Sequence, residues 1–308
     1  MPKSTYDKQF VCTSLKESVR LKEQAVAADK RIMDHIIWMD NEVLPGAFYS
    51  EVVWFWPGRI GPAEEQRQKP GLAQHTHAFD EVLAYFGTDP KDPHDLGGEI
   101  EFWLEDQQFN LTKSFLVYIP AGMKHCPLKH ITINRPIFHF TMGPGSMYVW
   151  NEKIKPAPQL TDKSKYFVYQ NKPNLVLPAF RHPIPEDRAH RLFYLDSEVV
   201  PGANFYVETL WFWPREMPRL KPGEVPKGAP EPHTHSFGEF IGFFGSNTKD
   251  IYDLGGEVEL WINGKKNVMY NSFLAYVPPG VVHCPLIIRR IDRPILHFTA
   301  GPSKMYTL

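Results

Sequence analysis

The chain contains itself twice. Sliding its 308 residues against themselves by 158 pairs residues 75–148 with 233–306 without a gap, and 37 of those 74 positions are identical. Upstream, MDNEVLPGAFY answers LDSEVVPGANFY, and Val53-Trp54-Phe55-Trp56-Pro57 answers Leu210-Trp211-Phe212-Trp213-Pro214. Solenoids and propellers repeat every 20 to 50 residues or so and need several copies, so a unit of about 115–120 residues present twice is a duplicated globular domain. The expected organisation is an N-terminal helical extension over 1–28, a first domain over 29–149, a polar, proline-bearing linker over 150–184, and a second domain over 185–308.

The fold class expected is all-β. The 29 prolines and 14% aromatics suit short strands joined by proline-rich turns. Glu99-Ile100-Glu101-Phe102-Trp103-Leu104 and Glu257-Val258-Glu259-Leu260-Trp261-Ile262 alternate with period two, which predicts strands with their glutamates facing outward. Ser114–Ile119 and Ser272–Val277 are apolar runs that stop at Pro-x-Gly turns. Helix is expected mainly in residues 14–36, free of Gly and Pro. Lys+Arg 34 nearly cancels Asp+Glu 35, so no global field recruits nucleic acid or an anionic membrane, and the partner expected is a small molecule. The three cysteines, Cys12, Cys126 and Cys284, fit neither a disulfide framework nor a paired-cysteine zinc site. With no apolar leader and no membrane-length apolar stretch, a cytoplasmic protein is expected. A homodimer is the commonest assembly for such a chain.

The chemistry lies in two spacings, each present in both halves. The first half reads His75-Thr-His77-Ala-Phe-Asp-Glu81 and then Pro120-Ala-Gly122-Met-Lys-His125; the second reads His233-Thr-His235-Ser-Phe-Gly-Glu239 and then Pro278-Pro-Gly280-Val-Val-His283. Residues two apart on a strand share a face, so His-x-His and the glutamate four positions on can point into one barrel. A histidine from a neighbouring strand then closes a set of three nitrogens and one carboxylate around a divalent ion, leaving coordination positions for water, oxygen or substrate. A lone His-x-His more often packs or faces solvent; four ligand types in register, twice, is what points to metal.

These motifs resemble those of the cupin superfamily, His-x-His-x3-Glu and Pro-x-Gly-x2-His, over about four fifths of the chain. Two intact copies look like a bicupin, the class that contains oxalate decarboxylases and quercetin dioxygenases. The resemblance implies two tandem double-sheet jelly-roll barrels with a short N-terminal helix. It also implies one divalent transition metal per domain (Fe, Mn, Ni, Cu or Zn), held by His75, His77, Glu81 and His125 and by His233, His235, Glu239 and His283. The sequence departs from the pattern at Ser114 and Ser272, where a glycine is usual, and in an insertion over Thr88–Asp95 and Ser246–Asp253, expected to reshape the barrel mouth. The expected function is a metal-dependent enzyme acting on a small, partly aromatic or enolisable substrate. Dioxygenase chemistry is placed first, oxygen-independent lyase, decarboxylase, isomerase or hydrolase chemistry second, and a non-catalytic metal- or small-molecule-binding protein third. Glu81 and Glu239 are expected to serve also as bases.

Four further residues are candidates for substrate contact. Tyr85 and Phe243 lie four positions past the glutamates and share the ligand face. Arg135 and Arg293 could anchor a carboxylate, although an ion pair within the fold is the favoured use. Cys126 and Cys284, adjacent to ligand histidines on a strand, are expected to face away from the metal. His139 and His297 are expected to be hydrogen-bonded core histidines, and Asp80 is a weaker base candidate peculiar to the first copy.

Overall fold

The computed structural model describes residues 3–15, 32–151, 153–176, 178, 189–216, 221 and 224–308. It opens with β1 (Val11–Cys12) and continues with β2 (Met33–Met39), β3 (Tyr49–Phe55), a short helix α1 (Ala63–Gln68), β4 (Glu81–Phe86), β5 (Asp95–Leu104), β6 (Gln107–Lys113), β7 (Phe115–Ile119), β8 (His125–Ile133), β9 (Ile137–Gly143) and β10 (Phe167–Val168). The second copy repeats this as β11 (Ala189–Leu195), β12 (Tyr206–Phe212), β13 (Glu239–Gly245), β14 (Asp253–Ile262), β15 (Lys265–Asn271), β16 (Phe273–Val277), β17 (His283–Ile291) and β18 (Ile295–Gly301). Among the described residues no helix is long and apolar enough to cross a membrane.

Each copy builds the same two sheets. In the first, a six-stranded sheet ordered β10-β7-β4-β9-β3-β2 faces a three-stranded sheet ordered β6-β5-β8; in the second, β1-β16-β13-β18-β12-β11 faces β15-β14-β17. Every pairing is antiparallel, so the side chains of each strand alternate between the barrel interior and the outer face. On β4 the alternation sends Glu81, Leu83 and Tyr85 inward. Phe86 goes to the other face, where it meets Phe138 and Phe140 of β9 with ring centroids 6.1 and 5.5 Å away. Both faces are buried, which is why β4, β7 and β9 read as near-continuous apolar runs rather than as alternation.

The chain divides into two compact units, residues 15–170 with 197–203, and residues 1–14 with 171–196 and 204–308. Residues 3–14 are therefore not a helical extension of the first copy. Val11 and Cys12 pair with Ala275 and Leu274 at the edge of the second copy's sheet, Thr5 pairs with Val268, and the Ser4 hydroxyl accepts from the Tyr270 amide at 2.9 Å. Correspondingly, Phe167 and Val168, from the stretch read as linker, pair with Val117 and Leu116 at the edge of the first. The arms echo each other in sequence, Lys3-Ser-Thr-Tyr6 with Phe10-Val11 and Lys163-Ser-Lys-Tyr166 with Phe167-Val168. Most of the helix expected over 14–36 falls on residues 16–31, outside the described residues. Its last part is strand instead: Met33–Ile36 open β2, because the β-forming run Ile36-Ile37-Trp38 has a partner strand in β3.

Two expectations about side chains change in the fold. Glu101 and Glu259 do point away from the barrel interior, yet both are buried. Lys129 Nζ (3.0 Å) and Trp103 Nε1 (3.2 Å) cover the first, and Arg289 (3.0 Å) and Trp261 Nε1 (2.8 Å) the second. The two departures from the family pattern also prove to be one device. The Ser114 hydroxyl accepts from the Gly87 amide and donates to the Pro93 carbonyl, both at 2.8 Å, and Ser272 does the same with Gly245 and Ile251 at 3.0 Å. The serine thus fastens the insertion at the end of β4 remote from Glu81. No residue of Thr88–Asp95 lines the cavity described below.

Candidate metal centres

His75 and His125 exchange backbone hydrogen bonds at 3.1 Å, as do His233 and His283 at 3.1 and 3.0 Å, and these pairs set the rim from which the ligands project. The chain leaves the sheet in a bend at Ala78–Phe79 and re-enters it at Glu81, so strand parity holds at the ends of the motif rather than along it. Phe79 stacks on His77 with centroids 4.9 Å apart, and Phe237 on His235 at the same distance.

All six histidines use Nδ1 in the same way. His75, His77 and His125 approach the carbonyls of Ala73, Val149 and Met123 at 2.8, 2.6 and 3.1 Å. His233, His235 and His283 approach those of Glu231, Thr307 and Val281 at 2.6, 2.5 and 3.3 Å. A carbonyl only accepts, so each Nδ1 carries the proton and each Nε2 presents a lone pair inward. In the first copy the His75 and His125 Nε2 atoms lie 3.0 Å apart, and the Glu81 carboxylate is 3.1 Å from His125 Nε2 and 3.6 Å from His77 Nε2. In the second, Glu239 lies 3.1 Å from His283 Nε2 and 3.8 Å from His235 Nε2. Lone pairs facing one another at such distances repel unless a cation sits among them, and neighbouring ligands in an octahedron with bonds of about 2.1 Å are themselves about 3.0 Å apart. His77 Nε2, His283 Nε2, one Glu81 oxygen and one Glu239 oxygen are buried without a hydrogen-bond partner. The donor set fits a divalent ion in each copy.

The electrostatics agree. Burial alone would raise the pKa of Glu81, but the facing His77 and His125 more than reverse this and bring it down to about 2. Burial, reinforced by the neighbouring His125 and His283, lowers His75 and His233 to about 4. Glu81 as carboxylate and His75 and His233 as neutral imidazoles are thus in their ligand forms at neutral pH, whereas at His283 burial is outweighed by the facing Glu239 carboxylate, which raises that histidine's pKa.

The cysteines do not face away as strand parity suggested. Between Phe102↔Leu128 and Leu104↔His125 the first copy has a bulge, in which Cys126 takes φ +72°, and Cys284 takes φ +77° at the same place. This turns Cys126 into the same interior as His125, and brings Cys284 Sγ within 4.8 Å of the His233 and His283 nitrogens. Burial holds the Cys126 thiol well above its ordinary pKa, which makes it a weak ligand beside the imidazoles.

The first centre opens onto a cavity of about 560 Å³, lined by His75, Glu81 and His125 together with Tyr85, Phe55, Trp38 and two neutral histidines, His130 and His139. Tyr85 takes the expected position, stacked on His139 at 4.1 Å. His139 and His297 direct Nδ1 at the Ala84 and Gly242 carbonyls, both at 2.8 Å. Phe243 takes the corresponding place, stacked on His297 at 4.1 Å, but there it is fully buried in an apolar cluster with Leu210, Ile241 and Met269, against which Ile288 packs. The second copy has Leu210, Ile241 and Ile288 where the first has Val53, Leu83 and His130. Arg135 and Arg293 pair with Asp95 and Asp253 and lie over Gly97 and Gly255, away from both centres. Gly97 takes φ +72°, a backbone conformation that favours glycine, and a Cβ there would crowd the guanidinium. Asp80 accepts from the Ala121 amide at 2.9 Å and so ties the two motifs together instead of facing the cavity.

Sequence reasoning missed two groups. The Tyr148 hydroxyl lies 3.4 Å from His75 Nε2, and the Tyr306 hydroxyl 3.3 Å from His233 Nε2; the signal was the Met-Tyr pair that ends both copies of the repeat. The other is the His35–Glu51 pair on β2 and β3. His35 Nε2 hydrogen-bonds Glu51, whose second oxygen accepts from the Tyr49 hydroxyl at 3.0 Å, and both His35 and Glu51 line the cavity. The second copy keeps the glutamate but pairs Glu208 with Arg191 at 2.6 Å.

No protein-family model and no curated protein sequence matches the chain. Solved structures do. Oxalate decarboxylase of Lactobacillus farciminis, in a formate complex, aligns at 13% identity with a TM-score of 0.50 over 91% of this chain and 88% of that one. Oxalate decarboxylase of Bacillus subtilis, studied for its Mn(II) centres, aligns at 13% identity and a TM-score of 0.50 over 91% and 79%. At such identities the likeness speaks for architecture: the chain has the cupin fold, an all-β pair of double-sheet jelly-roll barrels.

Proposed function

We propose that the protein is a metal-dependent enzyme whose reaction takes place in the first barrel and consists of proton transfer to and from a carbonyl- or enol-bearing molecule, as in an isomerase or a lyase. The observation that carries this reading is that one cavity is lined both by His75, Glu81 and His125 of the first ligand set and by an ionisable pair that is not part of it, His35–Glu51. A divalent ion held by His75, His77, Glu81 and His125 would supply positive charge for an enolate or carboxylate oxygen. His35 would take up and return the proton, and Glu51, kept ionised by His35 against the effect of burial, would balance the charge. The second copy has an arginine, Arg191, at the place of His35, a residue type that does not serve as a proton shuttle, which supports assigning turnover to the first barrel.

The cavity volume is in the range of sites for drug-sized ligands and far exceeds the needs of a two-carbon diacid. With Arg135 locked to Asp95, no carboxylate clamp comes from that position. A partly aromatic substrate bearing a single oxyanion fits this lining best. The aromatic walls also favour a second reading, dioxygenation of an enol or phenol.

The test is metal content of purified protein and of His75→Ala and His233→Ala, with turnover of a panel of aryl β-keto acids, enediols and catechols followed under nitrogen and under air. Two equivalents of metal are expected, one lost in each variant, with turnover that persists under nitrogen and is abolished in His75→Ala and His35→Gln. Turnover that needs air and consumes oxygen would move the assignment to a dioxygenase, and protein without specific metal would overturn both.

A further inference from the structure

Both centres share a group that is not a predicted ligand, a tyrosine whose hydroxyl reaches a ligand histidine. The Tyr148 hydroxyl stands 3.4 Å from His75 Nε2 with its ring 4.8 Å from that of His77; the Tyr306 hydroxyl stands 3.3 Å from His233 Nε2 with its ring 4.8 Å from that of His235. Each ring packs against a buried tyrosine, Tyr49 at 4.6 Å and Tyr206 at 4.7 Å. The two copies differ in about half of their aligned positions, yet reproduce this geometry to within about 0.1 Å. In the first copy Tyr148 also lines the cavity beside His75, Glu81 and His125.

Because each Nδ1–H is taken by a carbonyl, the Nε2 that the phenol approaches is the nitrogen aimed at the metal position. A hydroxyl 3.4 Å from that nitrogen therefore lies beside the ligand set on the His75 side, where an exogenous oxygen or nitrogen donor would enter. We infer that Tyr148, and Tyr306 in the second copy, donates a hydrogen bond to whatever small anion or substrate oxygen completes the metal's coordination. The phenol stays protonated throughout; no bond to the metal forms and no proton is transferred. Its part in turnover is to hold the reacting oxygen and to favour the anionic form of it. This rests on the metal-enzyme reading above, since it presupposes an ion in each centre.

The test needs no substrate. Protein loaded with Fe(II) and oxidised to Fe(III) is titrated with azide, read by the azide-to-iron absorption band, for wild type, Tyr148→Phe, Tyr306→Phe and the double variant, with iron per chain measured throughout. A charge-assisted hydrogen bond to the anion corresponds to a loss of azide affinity of about tenfold or more at the altered centre, with iron content unchanged and no phenolate-to-iron band before azide is added. Unchanged azide affinity with iron retained would overturn the inference alone. A phenolate band in wild type that disappears in the variants, or loss of iron from them, would overturn it in favour of direct ligation. Failure of the wild type to hold iron or any other divalent ion would overturn the metal reading and this inference together.

Discussion

His130 and His139 are the most exacting residues in the first barrel, because both are bases set into the cavity wall, His139 buried and His130 half-buried. Burial pushes His130 down to about 3 and His139 to about 4, against an ordinary value near 6.5. Above about pH 6.5 neither state of the chain binds these protons, so neither residue contributes any pH dependence. Below it the unfolded chain takes them up and the folded chain does not, and each residue withdraws up to about 1.4 kcal/mol of stability per pH unit until its folded value is reached. The second copy carries Ile288 where the first has His130. His130→Ile in metal-free protein should therefore keep the melting temperature of wild type near pH 7.5 or raise it, and lose it more slowly between pH 6.5 and 4.5. Parallel acid profiles for the two proteins would refute this. The candidate ligands were legible at this scale because His-x-His-x3-Glu is a local pattern, even though the chain bends out of the sheet between its two ends. Tyr148, Tyr306 and His35 were not, because they reach the centres from segments remote in sequence, and no local period marks an encounter made by the fold.

Among elements, the β4–β5 connection shows how one hydroxyl substitutes for a backbone choice. Ser114 Oγ is fully buried and satisfies an amide and a carbonyl at once. Ser114→Ala should leave both unpaired and cost about 1–3 kcal/mol, read as a lower urea midpoint with an unchanged m-value. Ser114→Gly should cost at least as much if the hydrogen bonds are the reason for serine, whereas a neutral glycine variant would mean that the usual residue suffices here too. The strands themselves were legible from composition and alternation. The orientation of Cys126 was not, because a left-handed residue in a bulge cancels the period-two rule on which it was read. Helix α1 also went unforeseen. At six residues, it is held by tertiary bonds such as Lys129 Nζ to the Arg67 carbonyl at 3.0 Å rather than by its own propensity.

For the molecule as a whole, the duplication fixed the architecture from sequence while leaving the connection of arms to barrels open. Ions bound only by the folded state should raise its stability by about 2.7 kcal/mol per site when free metal is a hundredfold above Kd. Chelation should lower the melting temperature, and His75→Ala and His233→Ala should each remove part of that difference. Deletion of residues 1–14 is a sharper test of the topology. It removes Tyr6, Phe10 and Val11 from the second barrel's apolar cluster and leaves the edge of β16 unpaired. The truncated protein should melt lower and form higher oligomers on gel filtration, and an unchanged melting temperature would show that the arm adds nothing.

That arm also bears on the order of synthesis. Val11 and Cys12 leave the ribosome about 260 residues before Ala275 and Leu274, the partners with which they pair. At about 5–20 residues per second the interval is roughly a quarter of a minute to a minute. Throughout it, a short strand with a buried valine and cysteine has nothing of its own sheet to join, so the first barrel can finish its sheets long before the residues that precede it in the chain find their place.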